Sequence, residues 1–170
     1  MIHIYCGDGK GKTTCAFGLA LRAAGRGKGV VVAQFLKSED SGERLALRAI
    51  SDVELLPLPE KIKFTFAMDE AERAEATAHS LALLDGVARA LEAGADLAVL
   101  DECCAAVSTG LLPRERVTAL LDRWRSEREI VLTGRNPDPE LTLRADYITE
   151  MKKLRHPYDK GLPARLGVEW

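Results

Sequence analysis

The sequence has little of what marks a nucleic-acid-binding, membrane or secreted protein. Its net charge is −2 at pH 7, so no positive excess favours nucleic acid or an anionic membrane surface. Nowhere does an apolar run approach the ~20 residues that span a bilayer. The first residues begin an apolar strand pattern rather than a signal peptide. We therefore expect a cytoplasmic protein that has neither nucleic acid nor a membrane as a partner.

Histidine and cysteine are also scarce. The chain has 3 histidines and 4 cysteines, and neither set has the spacing of metal ligands. No C-x-x-C pair occurs, which argues against a zinc site. Reduced core thiols are the ordinary state of such cysteines in the cytoplasm. No histidine and no pair of carboxylates stands out as an acid–base couple, so no general base is evident.

A glycine-rich segment lies between the first predicted strand and the first predicted helix. It consists of Gly7, Asp8, Gly9, Lys10, Gly11, Lys12, Thr13 and Thr14. Glycines allow successive backbone N–H groups to point at an anion, and a helix N-terminus adds partial positive charge. The Lys12 side chain supplies a full charge, and the Thr13 hydroxyl is suited to Mg²⁺. This arrangement predicts a phosphate-binding loop.

The loop departs from the usual pattern G-x-x-x-x-G-K-[ST] in one respect. The first glycine of that pattern would stand at Cys6, but the glycine comes one residue later, at Gly7. The loop also carries an additional glycine, Gly9, and an additional lysine, Lys10. The strand–turn–helix context nevertheless favours phosphate binding over a chance glycine-rich turn.

Short apolar runs alternate with helical stretches along the whole chain, and the length suits a single domain over residues 1–170. This order is typical of a parallel sheet with helices on both faces. With the loop, it predicts an α/β fold, a P-loop NTPase-like three-layer sandwich with a mostly parallel central sheet. The predicted strands are 2–6, 30–36, 52–58, 97–102, 130–134 and 147–151. The predicted helices are 13–24, 69–93, 113–126 and 139–145, with a polar loop over 37–44 and prolines that place the third strand near an edge.

Two acidic residues, Asp101 and Glu102, follow the apolar run of the fourth predicted strand. In open parallel sheets, ligands bind beyond the carboxyl ends of the strands. One of these carboxylates is therefore expected to reach Mg²⁺ opposite Thr13. Arg135 follows another predicted strand end, where it is either a phosphate contact or a surface arginine.

These residues predict a site for a magnesium-bound nucleoside triphosphate, but they do not identify the reaction. A P-loop kinase or ATPase remains open, although neither a lid arginine cluster nor a base near an acceptor is evident. A non-catalytic ATP-binding regulatory module also remains open. The three functions differ in their products, which are triphosphate, ADP or none.

Nearly the whole chain resembles the ATP:corrinoid (cob(I)alamin) adenosyltransferases of the P-loop type. The shortened loop has the form found in that family, including the displaced first glycine. Further matching segments are 16–18, 20–22, 32–37, 42–44, 99–102, 133–135, 145–151, 156–161 and 164–170. As an ordered set, these motifs are far more specific than any one of them.

The resemblance implies transfer of the 5′-deoxyadenosyl group of ATP to the Co(I) of a corrinoid, with release of triphosphate, in adenosylcobalamin biosynthesis or salvage. The acceptor would be cobalamin or a precursor such as cob(I)yrinic acid a,c-diamide. Because Co(I) is itself a strong nucleophile, no general base is required. By resemblance, Lys10, Lys12 and Thr14 hold phosphates. Thr13 and Glu102, with Asp101, hold Mg²⁺. An electron-donating reductase and a homodimer are also implied.

By the same resemblance, Phe64 and Phe66 displace the axial ligand of the corrinoid so that Co(II) is more easily reduced. Tryptophan is common in the family at the position of Phe66. The alternative interpretation is a phenylalanine pair on one face of a strand. Members of the family often have an N-terminal extension that covers the corrinoid, whereas this sequence begins at its first predicted strand.

Overall fold

The structure is a computed structural model that describes residues 1–38 and 41–169. Two parts of the predictions lie outside these residues, namely positions 39–40 of the polar loop and Trp170 at the end of the last matching segment. The strands are β1 (Ile2–Cys6), β2 (Val30–Gln34), β3 (Val53–Leu55), β4 (Leu97–Asp101), β5 (Glu129–Thr133) and β6 (Tyr147–Glu150). The helices are α1 (Lys12–Ala24), α2 (Gly42–Leu47), α3 (Glu70–Glu92), α4 (Cys103–Ser108), α5 (Arg114–Trp124) and α6 (Pro139–Thr142).

The strands form a 6-stranded sheet in the order β3-β2-β4-β5-β1-β6. Each neighbouring pair is parallel, which confirms the predicted α/β architecture. The register places Gln34 beside Asp101. β3 is a short edge strand, as the prolines after it predicted.

Helices cover both faces of the sheet because successive strand side chains point to opposite sides. Residues Val30 and Val32 pack in a cluster with Ala16, Phe17 and other residues of α1 and α2. Val31 and Ala33, which alternate with them on β2, pack in a second cluster with residues of α3, α4 and α5. The layers are therefore helix, sheet and helix, and the carboxyl ends of all strands lie at one edge.

The predicted boundaries differ from the structure at two short helices and at the ends of several strands. The third predicted strand covered 52–58, whereas β3 is only Val53–Leu55. The polar loop was predicted to run to residue 44, but α2 begins at Gly42. The second predicted strand ran to residue 36, whereas β2 ends at Gln34 and Leu36 adopts a left-handed backbone (φ 56°). The fourth predicted strand included Glu102, which instead has φ 58° and precedes α4. The helices α2 and α4 have 6 residues each, which is too short for a periodic pattern that would predict them.

The acidic residues at the start of α3 cap that helix, as their position at its first turn indicates. Asp69 accepts a hydrogen bond from the Glu72 N–H at 2.9 Å, and the Glu72 side chain accepts from the Asp69 N–H at 3.0 Å. This is a capping box. Among the described residues, no helix combines the length and apolar character needed to cross a membrane.

Candidate functional site

The glycine-rich loop lies at the carboxyl edge of the sheet, between β1 and α1. Gly7 and Gly11 have φ values of 102° and 113°, in the left-handed region that favours glycine. The Gly9 N–H donates to the Met151 carbonyl oxygen at 2.6 Å, and a Cβ on Gly9 would stand 2.5 Å from that oxygen. The additional glycine of the loop is therefore required by its close approach to the backbone that follows β6.

Lys12 is nearly buried, with 8% of its surface exposed. Its Nζ donates to the Gly9 carbonyl oxygen at 2.8 Å, so the ammonium lies inside the curl of the loop. Burial lowers the pKa of Lys12, while the nearby Glu102 carboxylate opposes that shift. A charged group held in such a loop is well placed to neutralise a phosphate.

The C-terminal segment contacts the loop on two sides. The Nζ of Lys10 donates to the Val168 carbonyl oxygen at 2.6 Å. The Asp8 carboxylate accepts the Lys153 N–H at 2.9 Å, and this hydrogen bond lowers the pKa of Asp8. Residues that follow β6 therefore form part of the walls around the loop.

Asp101 is the buried centre of a polar cluster and has no exposed surface. Its Oδ1 accepts from the Thr13 hydroxyl at 2.9 Å and from the Thr133 hydroxyl at 2.7 Å. Its Oδ2 accepts from Gln34 Nε2 at 3.2 Å and lies 2.8 Å from Lys37 Nζ. The structure thus brings Thr13 and Asp101 together, as their places after parallel strands predicted.

Glu102 lies beside this cluster but is held differently. Its N–H donates to Thr133 Oγ1 at 2.9 Å. Burial, and then the neighbouring Asp101 carboxylate, raise the pKa of Glu102. A cation bound nearby would lower the pKa of Glu102 again, because it favours the charged form of the carboxylate.

The oxygen donors at this point fit magnesium. Mg²⁺ prefers oxygen ligands and is usually bound by one or two carboxylates together with substrate phosphates. The Thr13 hydroxyl and the carboxylates of Asp101 and Glu102 are donors of this kind. Within residues 1–38 and 41–169, no group of three or more His, Cys, Asp or Glu side chains is arranged to hold a metal. The three oxygen donors fit a magnesium ion whose remaining ligands are phosphate oxygens.

Two cavities adjoin the loop. A cavity of about 790 Å³ lies between α1, α2 and the C-terminal segment, and its walls include Lys10, Thr13, Thr14 and Lys37. A cavity of about 420 Å³ is lined by Asp8, Arg135, Lys153, His156, Tyr158 and Asp159. Arg135 lines this second cavity together with Asp8 of the loop, and its side chain is exposed.

Phe64 and Phe66 lie in the connection between β3 and α3. Thr65–Ala67 form a single 3₁₀ turn, so the alternative interpretation as one face of a strand is wrong. The rings stack with centroids 5.5 Å apart and an interplanar angle of 8°. They are 76% and 86% exposed, so both rings are accessible from outside the protein.

The residues on either side of the phenylalanine pair line a different cavity from the one that contains Thr13. The segment that leads to Phe64 lines a space of about 580 Å³ against α3, together with Met68, Glu72, Glu75 and His79. The structure therefore groups the predicted phosphate and magnesium residues at the loop and places the phenylalanines on a separate segment.

Sequence reasoning assigned no role to Gln34, Lys37 or Thr133. All three contact the Asp101 carboxylate. Each lies at or just beyond the carboxyl end of β2 or β5, where polar residues interrupt or follow apolar runs. Their position at strand ends could have suggested a place in the site, but the sequence does not show which strands are neighbours.

The fold and the loop define a P-loop nucleotide-binding protein. A solved structure described as "EssC (ATPases 2 and 3) from Geobacillus thermodenitrificans (SeMet)" matches with a TM-score of 0.54 and 16% identity. The match covers 98% of this chain and 34% of that chain, so this chain spans about a third of it. At that identity, the likeness concerns the fold alone.

Sequence comparison identifies the family. A model described as "ATP:corrinoid adenosyltransferase BtuR/CobO/CobP" matches residues 1–170. The "Corrinoid adenosyltransferase" of Escherichia coli (strain K12) is 32% identical over 177 residues, covering 100% of this chain and 85% of the relative. "Corrinoid adenosyltransferase CobA" of Salmonella typhimurium is also 32% identical, with the same coverage. The chain belongs to the ATP:corrinoid adenosyltransferase family.

Proposed function

We propose that this protein transfers the 5′-deoxyadenosyl group of ATP to the Co(I) centre of a corrinoid and releases triphosphate. The observation that carries the proposal is the loop with Lys12 inside its curl and the buried Asp101 beside it, in a chain whose full length matches the family. Cobalamin and cob(I)yrinic acid a,c-diamide are the acceptors proposed for it.

The reaction requires no proton transfer from the acceptor. The electron pair of Co(I) attacks the 5′ carbon of the ribose, a cobalt–carbon bond forms, and the carbon–oxygen bond to the triphosphate breaks. The oxygen of the triphosphate takes the bonding pair. The protein therefore has to orient ATP and stabilise the negative charge of the leaving group.

The loop residues supply that stabilisation. Lys12 and Lys10 place two ammonium groups at the loop, and the helix N-terminus at Thr13 and Thr14 offers backbone N–H donors. Arg135 adds a third cation, which is close enough to contribute to lowering the pKa of Lys12. Gly7, Asp8, Gly9 and Gly11 shape the loop.

Thr13, Asp101 and Glu102 would hold magnesium at the phosphates. When bound, that ion would neutralise part of the charge that develops on the triphosphate. Thr133 and Gln34 orient the Asp101 carboxylate by hydrogen bonds, so the side chain is set before ATP arrives.

Phe64 and Phe66 are proposed to contact the corrinoid and to displace its axial ligand. Their exposure supports this role because a stacked pair with little cover is available to a large flat ligand. Reduction of Co(II) to Co(I) requires one electron, which we assign to a separate reductase partner.

We further propose that residues 1–170 act as one cytoplasmic domain that forms a homodimer. The edge strand β6 supports a homodimer because Tyr147 and Ile148 are half exposed and Leu143 nearby is 77% exposed. Light scattering on the wild type and on Ile148→Lys tests this. A dimer that becomes a monomer supports β6 as the interface, and an unchanged mass contradicts it.

An anaerobic assay tests the reaction. Purified protein is mixed with Mg-ATP and chemically reduced cob(I)alamin, and then separately with cob(I)yrinic acid a,c-diamide. Absorbance follows the alkyl-cobalt product, and chromatography separates the phosphate products. We expect alkyl-cobalt and triphosphate in equal amounts. ADP with unchanged corrinoid would indicate a kinase or ATPase, and no turnover with either acceptor would indicate a regulatory module.

A further inference from the structure

The buried Asp101 carboxylate needs a cation. Burying an ionised carboxylate without a partner is costly, so such groups are paired or bind metals. In this structure, the partner is Lys37, whose Nζ lies 2.8 Å from Asp101 Oδ2. Gln34, Thr13 and Thr133 complete the contacts with neutral donors. Lys37 therefore supplies the positive charge in contact with Asp101.

The Lys37 ammonium lies between the same groups that are expected to hold magnesium. Besides Asp101, its Nζ contacts Thr13 Oγ1 at 3.3 Å and lies 3.8 Å from Glu43 Oε1. A magnesium ion bound to Thr13 and Asp101 would have to come within a few ångströms of this ammonium. Two cations at that distance, beside one buried carboxylate, repel each other.

Lys37 has space to move. Its side chain is 28% exposed, and it lines the cavity of about 790 Å³ together with Lys10, Thr13 and Thr14. The four-carbon stem of lysine lets the ammonium swing over several ångströms without backbone movement. The phosphates of a nucleotide bound at the loop would lie within that range.

We propose that Lys37 is a resident cation that occupies the magnesium position until Mg-ATP displaces it, and that its ammonium then contacts the triphosphate. This inference rests on the proposed function because it requires the Mg-ATP site. The same side chain would exclude a bare divalent cation from the empty site. It would also add positive charge to the leaving group once ATP is bound.

Manganese binding to the nucleotide-free protein tests the first part. Mn²⁺ replaces Mg²⁺, and electron paramagnetic resonance measures the unbound ion. Lys37→Met leaves Asp101 without its cation, so we expect Mn²⁺ to bind at least ~10-fold more tightly than in the wild type. Lys37→Arg retains the charge and should bind Mn²⁺ like the wild type. Lys28→Met is the matched control because it removes an exposed lysine that pairs with Asp96.

Equal Mn²⁺ affinity in Lys37→Met and in the wild type would overturn the proposal. If Lys37→Met does not fold, Mn²⁺ binding to the wild type tests the proposal by itself.

The wild type should bind Mn²⁺ in the presence of ATP and at least ~10-fold more weakly in its absence. Equal binding with and without ATP would overturn the Lys37 proposal but leave the metal site intact. No protein-bound Mn²⁺ even with ATP would overturn the Mg-ATP site itself and the Lys37 proposal with it.

ATP binding in the presence of EDTA tests the second part. Calorimetry without divalent cations measures the contact between Lys37 and the phosphates in isolation. We expect Lys37→Met to bind ATP ~10-fold more weakly than the wild type, while Lys28→Met is unchanged. Unchanged ATP affinity in Lys37→Met would contradict the contact with the triphosphate.

Discussion

Thr133 and Asp101 are joined by a 2.7 Å hydrogen bond in which the hydroxyl donates to the buried carboxylate. The same hydroxyl oxygen accepts the Glu102 N–H at 2.9 Å. One side chain at the end of β5 thus fixes both the carboxylate of Asp101 and the backbone that turns into α4. Its role is to position the proposed metal ligands rather than to bind the metal itself.

Thr133→Val removes this hydroxyl at nearly constant volume. We expect the affinity for Mn²⁺ in the presence of ATP to fall ~10–100-fold, as is usual when a group that orients a metal ligand is lost. Electron paramagnetic resonance of bound Mn²⁺ measures the effect. Thr133→Ser keeps the hydroxyl and should remain within a few-fold of the wild type. Equal losses in both variants would show that only packing matters at this position.

Lys12→Ala should abolish adenosyl transfer from Mg-ATP to cob(I)alamin. The variant removes the ammonium from the curl of the loop, and electrostatic groups at a developing charge contribute ~10²–10³-fold in rate each. Initial rates of alkyl-cobalt formation provide the measurement. Lys28→Ala, at the opposite edge of the sheet, serves as the control. Activity retained by Lys12→Ala would contradict the assignment of Lys12 to the phosphates.

Phe64→Ala should slow the reaction that begins from Co(II) more than the reaction that begins from chemically reduced Co(I). Displacement of the axial ligand matters only while Co(II) is being reduced. Both assays use the same protein preparation, with a fixed reductant in the first. Leu45→Ala removes another exposed apolar side chain, to which no role is assigned, and should affect neither reaction. Equal losses in the two assays would contradict the ligand-displacement role.

Gly7→Ala should destabilise the fold. Gly7 has φ 102°, and a Cβ there would stand 2.5 Å from the Met151 carbonyl oxygen. Left-handed backbone at a residue other than glycine costs ~1–3 kcal/mol, so the midpoint of urea denaturation should fall. Gly18→Ala is the matched contrast because α1 has open space at this position. It should raise stability by about 1 kcal/mol. Equal midpoints for the two variants would contradict this account of the loop.

His79 should make stability fall on acidification. Burial lowers the pKa of His79 below its ordinary value, although Glu75 opposes the shift. Because the unfolded chain binds a proton more readily than the folded one, stability is complete above about pH 6.5 and is lost as the pH falls through the folded pKa. Urea denaturation between pH 5 and 8 measures this. His79→Gln should flatten the dependence over this range, and an unchanged profile in that variant would exclude His79 as its source.

Much of the fold was predictable because its strands are short apolar runs that end at glycines, prolines or charged residues. β1 was predicted to the residue, and β4 and β5 to within one residue at each end. The helices α2 and α4 were not predicted because six residues are too few to show a helical period. The parallel sheet followed from the alternation of elements, but the strand order did not.

The site was predictable only in part, because the strand order is not evident from the sequence. Thr13 and Asp101 belong to recognisable motifs. Their contact could be expected because both motifs lie at the carboxyl ends of parallel strands. The bond between Lys10 and Val168 joins positions 158 residues apart, and no local pattern indicates it. The partners Gln34 and Thr133 are revealed only once β2, β4 and β5 are known to be neighbours.

The register of the sheet also determines where the polar groups of the site lie. Gln34 pairs with Asp101 in the ladder, and Leu100 pairs with Leu132 one step before Thr133. A slip of one residue would turn these polar groups to the opposite face. The apolar residues that fix the register of the strands therefore also fix the position of the Asp101 carboxylate. A substitution that shifts the register of β4 would therefore displace the Asp101 carboxylate as well as disturb the core.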